Sequence, residues 1–134
     1  MYEDAALFFP ATDELTLDAE LLTVGDEPFE MANLAEDVTG VAGFVFISTM
    51  MGGHGPRVKW YSKLGRHQPS FSVSVAAEPR LLASSLPERE TRRAFPSVTR
   101  WVAQNHVALL SFWREGESWT STEVIAFLQN LESI

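Results

Sequence analysis

The chain contains no cysteine. That excludes disulfides, thiol chemistry and cysteine-based zinc sites, and it fits a reducing compartment. The longest apolar run, residues 41–47, is far short of the roughly 20 residues a membrane helix needs. The first ten residues, MYEDAALFFP, have no basic residue ahead of their apolar patch, unlike a secretory leader. Histidine is scarce: His54, His67 and His106 show no His-x-x-x-His spacing and no carboxylate at ligand spacing. No metal or cofactor site is therefore expected. A Gly-x-Ser-x-Gly elbow and a Walker A ending are both missing. The expectation is a cytoplasmic protein with no membrane contact and no legible catalytic apparatus.

What is present is enough to fold. The chain has 134 residues, of which 46% are hydrophobic, with nine Phe and four Trp. That supports one ordered domain with a real core and argues against global disorder. The net charge of −8 hides a sharp segregation. Residues 1–56 hold eleven acidic and no basic side chains. Residues 57–114 hold all ten Lys and Arg with three acids, and residues 115–134 hold four acids and no Lys or Arg. Charge separation of this size is the most unusual feature of the chain.

Residues 93–116, RAFPSVTRWVAQNHVALLSFWREG, organise the rest. Val98, Trp101, Val102, Asn105, Leu109, Phe112 and Trp113 recur at three- and four-residue steps, the pattern of a helix with a broad apolar stripe. Pro96 suits its first turn and Gly116 its stop, so a helix is expected over 96–114. Ser85 and Glu88 have capping-box spacing for a short helix before it. Thr120 and Glu123 repeat that spacing for a terminal helix over 121–132.

Strand patterns fill the first part. Residues 14–24 alternate, with Leu15, Leu17, Ala19 and Leu21 on one side. Residues 29–37 fit either a strand or a short acidic helix. Residues 41–49, VAGFVFIST, read as a strand buried on both faces. Residues 57–62 and 70–76 suggest a hairpin, and Ser70, Ser72 and Ser74 should form an exposed polar face. Residues 80–84 could add an edge strand. The expected fold is α+β, a small antiparallel sheet with helices on one face. An acidic segment over 1–40 should precede a core over 41–134 that holds the hairpin 57–76.

Residues 57–115 also resemble a family of small bacterial proteins known only as a domain of unknown function. The matching residues are His67, Pro69 and Phe71 in the hairpin. In the helical part they are Leu86-Pro87, Trp101, Asn105, Leu109-Leu110 and Trp113. The family commonly has two more histidines flanking the Phe, where this chain has Ser70 and Ser72. The resemblance implies a small α+β protein, often encoded in compact gene pairs of toxin–antitoxin or regulatory character.

The leading expectation is a non-enzymatic binding or regulatory protein, antitoxin-like, with a protein or polyanionic partner. The binding candidates are Arg57, Lys59, Lys63, Arg66 and His67, with Arg89, Arg92, Arg93 and Arg100 adding to the basic surface. The acidic segment would compete for that surface, and a chain starting near Gly40 would carry +3. A second reading is a small hydrolase or nuclease using His54, His67 and Arg57. A third is a homodimeric structural module. The glycine-rich loop over 50–56, MMGGHGP, reads as a turn between strands rather than a phosphate cradle.

Overall fold

The structure, a computed structural model, describes residues 31–134 and the backbone of Tyr2–Glu3 and Ala5–Ala6. The strand expected over 14–24 lies outside the described residues. The chain divides into two compact units, Met1–Glu27 with Leu64–Gln68, and Pro28–Lys63 with Pro69–Ile134. The elements below belong to the second. Five antiparallel strands follow one another in chain order: β1 (Met31–Leu34), β2 (Phe44–Ser48), β3 (Arg57–Tyr61), β4 (Phe71–Ser74) and β5 (Leu81–Ser84). Three helices accompany them: α1 (Glu36–Thr39), α2 (Glu88–Glu115) and α3 (Ser121–Asn130). The fold is α+β.

Period-two burial defines the sheet. Val45, Ile47, Val58, Trp60, Phe71 and Val73 are buried and join one core with Val98, Trp101, Val102, Leu109 and Phe112 of α2. The expectation that residues 41–49 are buried on both faces is corrected. Phe44, Phe46 and Ser48 are only half-buried, because their alternation places them on the face opposite Val45 and Ile47. Trp60 donates its indole N–H to the Ala42 carbonyl at 2.8 Å. A Cβ at Gly43 would lie 2.8 Å from the Trp60 ring, and the φ of 93° there also favours glycine.

The expected boundary near residue 40 is corrected too. Residues 29–37 supply both alternatives in succession, β1 and then α1. β1 pairs with β2 from Met31 opposite Ser48 to Leu34 opposite Val45. The sheet therefore begins at Met31, and a chain starting near Gly40 would lose an edge strand and the buried Leu34.

α2 is one helix of 28 residues, not two helices meeting at Pro96. Proline in a helix interior removes one hydrogen bond and crowds the carbonyl four residues earlier. Pro96 is exposed, so the carbonyl it leaves unpaired, that of Arg92, faces the wet side of the helix. Thr99 turns its hydroxyl back to the Phe95 carbonyl at 3.0 Å, reinforcing the same turn. The box expected at Ser85 does not form. Ser85 instead bonds Ser70 on β4's approach, donating its hydroxyl to the Ser70 carbonyl and accepting the Ser70 N–H. Pro87 takes the N-cap position without a side-chain cap. At the other end, Gly116 keeps right-handed helical angles, φ −58° and ψ −30°. It is glycine for want of space: a Cβ there would meet Phe112 Cδ1 at 2.6 Å.

α3 begins as expected. Thr120 Oγ1 accepts the Glu123 N–H at 3.2 Å, and Glu123 Oε1 accepts the Thr120 N–H at 2.8 Å. Phe112 stacks on Phe127 with centroids 4.8 Å apart, and Trp119 packs against both rings. After α3 the chain is sewn down by polar bonds. Asn105 Nδ2 donates to the Glu132 carbonyl at 2.9 Å, and the Glu132 N–H returns to Asn105 Oδ1 at 2.8 Å. Asn105, a buried polar residue in an apolar stripe, thus has its amide satisfied by the chain after α3. Ile134 N–H reaches the Thr39 carbonyl at 2.9 Å.

Candidate functional site

The hairpin residues separate. β3 alternates buried Val58 and Trp60 with half-buried Arg57, Lys59 and Tyr61. Arg57 lies opposite Ser74, and Lys59 lies between Phe46 and Ser72 in the register. Arg57 and Lys59 thus share a face, and the Arg57 Nε is buried without a hydrogen-bond partner among the described residues. Lys63 is exposed beyond the strand. Arg66 and His67, both exposed, fall in Leu64–Gln68 and belong to the other compact unit. The structure places Arg57 and Lys59 together but groups Arg66 and His67 apart from them. The serines are not an exposed face: Ser72 is buried, and Ser70 and Ser74 are half-buried. Ser74 Oγ is occupied by the Arg80 N–H at 3.0 Å.

The histidines show no common chemistry. His54 is exposed, and its carbonyl accepts the Trp113 indole N–H at 3.1 Å. That contact pins the glycine-rich loop, a 3₁₀ turn at Met50–Gly52 capped by Thr49, to the end of α2. His106 Nδ1 lies 2.8 Å from the Ala103 carbonyl on its own helix. Among the described residues no three His, Cys, Asp or Glu side chains converge as a metal site would require. None of their helices is long and apolar enough to cross a membrane.

The coherent charged surface is on α2. Its buried stripe runs through Val98, Trp101, Val102, Asn105, Leu109 and Phe112. On the opposite side Arg89, Arg93, Arg100 and Arg114 are all exposed. At about 100° per residue these four lie within about 60° of helix surface. Val107 sits in the same stripe and is 71% exposed. Among the described residues one ion pair is formed, Arg92 to Glu88 at 2.9 Å. The stripe arginines therefore present charge that nothing described neutralises. Sequence reasoning named Arg89, Arg93 and Arg100 but missed Arg114 and Val107. The available signal was the seven-residue interval from Arg93 through Arg100 and Val107 to Arg114.

Fold and surface together define an α+β protein that presents a basic helix face. No known protein-family model, curated protein or solved structure matches the chain.

Proposed function

We propose that the protein is a non-enzymatic binding or regulatory protein that engages an acidic partner through the exposed face of α2. One observation carries the reading: Arg89, Arg93, Arg100 and Arg114 share an exposed face and have no described counter-charge. Cations held on one rigid helix gain more from a polyanion than the same charges on mobile loops, because less side-chain placement is left to chance. The resemblance over residues 57–115 adds the setting, an antitoxin-like regulator in a bacterial cytoplasm. A hydrolase or nuclease built on His54, His67 and Arg57 has less support, since no carboxylate orients either imidazole among the described residues.

The test is a titration of the full chain with polyglutamate and with short DNA. Binding should weaken as salt rises and should be lost in the triple variant Arg93→Glu, Arg100→Glu, Arg114→Glu. Salt-independent binding, or binding untouched by the triple variant, would put the partner elsewhere.

The homodimer reading draws on a separate observation. All four residues of β5 are exposed at the sheet edge, with Leu81 and Leu82 each 47% exposed. An open apolar edge strand is a template for a second strand. Light scattering across a concentration series, with Leu82→Lys as the control, decides this reading.

A further inference from the structure

We infer that the seven-residue stripe of α2 is a seam for one acidic amphipathic helix of a partner protein. The inference rests on the acidic-partner reading above and specifies that partner's form. Arg93, Arg100, Val107 and Arg114 recur every seven residues, about 10.5 Å apart along the axis, with a drift of only about 20° per step. That spacing is the repeat at which two helices stay in contact over several turns. Half-buried Ala103 and Leu110 fall four residues before and three after Val107, the intermediate positions of the same seam.

The order of side chains selects among acidic partners. A phosphate backbone offers an anion at every step and gains nothing from a highly exposed valine between two arginines. A helix with an apolar residue facing Val107 and carboxylates facing Arg93, Arg100 and Arg114 matches every step. Beside Val107 lies an open depression of about 430 Å³, lined by Gln104, Ala108, Ser111 and Asn130, with Glu132 also on its wall. Glu132 repels a carboxylate there, so the partner's acids are confined to the arginine steps and its apolar residue to the centre. The seam from Arg93 to Arg114 is about 31 Å long, which corresponds to about six helical turns of partner.

The probe is a synthetic helix of that length with Glu at the three arginine-facing positions and Leu facing Val107. It is titrated against the full chain beside a scramble of the same composition, polyglutamate of equal length and a single-stranded oligonucleotide. Work at about 0.1 M salt keeps the range of charge effects near 10 Å, so the titration reads the charges local to the stripe. The patterned helix should bind at least about tenfold more tightly than the scramble. Val107→Asn, which removes the apolar contact without adding charge, should remove that preference, while Arg100→Glu should weaken binding of the patterned helix and of polyglutamate alike. Both positions are exposed, and circular dichroism of each variant verifies folding. Equal binding of patterned and scrambled peptides, both weakened by Arg100→Glu, overturns the seam but keeps the basic face. No binding by any probe overturns both. Tighter binding of the oligonucleotide than of the patterned helix overturns the seam in favour of phosphate recognition.

Discussion

At the scale of single residues, two positions are fixed for different reasons. Trp101 is 0% exposed, yet its indole N–H has no acceptor among the described residues. Trp101→Ala should cost about 3–5 kcal/mol, as large core truncations do. Trp101→Phe should cost much less, because the benzyl ring fills most of the space and the unpaired donor still leaves with the indole. Urea midpoints for the two variants check this, and equal losses would show that ring volume is not what the core requires at this site. Gly116→Ala should cost about 1–3 kcal/mol, since its Cβ has no room beside Phe112 and Thr49. Trp101 was legible from its place in the apolar stripe. Gly116 does lie at the stop of α2, as expected, but the demand for glycine there was not legible, because the Phe112 ring that excludes a Cβ is set by tertiary packing.

At the scale of elements, capping and proline chemistry decide the outcomes. Thr120→Ala removes the side-chain acceptor of a complete capping box and should cost about 1 kcal/mol, with faster hydrogen exchange across α3. Pro96→Ala should raise the thermal midpoint, because an alanine N–H restores the bond to the Arg92 carbonyl that proline forfeits. A fall in the midpoint would mean that the proline-shaped backbone is what lets α2 follow the sheet. The box at 120–123 was readable because all its parts are local. The continuity of α2 through Pro96 was not, because buried Thr91 ahead of the proline and the buried stripe after it hold the helix in place and outweigh a local breaker. The strand over 44–48 was found, but its second face was misjudged. Nothing within those residues reveals that the packed helices cover only the Val45 and Ile47 side.

At the scale of the whole molecule, charge is distributed by unit. Met1–Glu27 with Leu64–Gln68 carries eight acids and one arginine, while the larger unit holds nine basic and ten acidic residues. The larger unit is near neutrality, so its positive field comes from clustering on α2, not from excess. Replacing Asp13, Glu14, Asp18 and Glu20 by their amides would halve the net charge of −8. Polyanions should then bind the intact protein more tightly at low salt, with the advantage fading as screening grows. A titration of both proteins at two salt concentrations checks this, and identical affinities would make the acidic segment irrelevant to the basic face. The segregation was visible in the sequence, and so were most of the arginines. Their sorting into a shared helix face, a pair on the sheet and a loop of the other unit required the fold.

The bond from Ile134 to Thr39 joins positions 95 residues apart. That one amide proton is therefore a gauge of global integrity. Fraying of either end of α3 leaves it in place, whereas its exchange with solvent deuterium requires the corner after α1 and the final residues to part. Rates of exchange at Ile134 and at the α3 amides should therefore diverge under native conditions and converge as denaturant rises. A binding partner on α2 that steadies the Asn105 clamp would be seen first as slower exchange at this distant position.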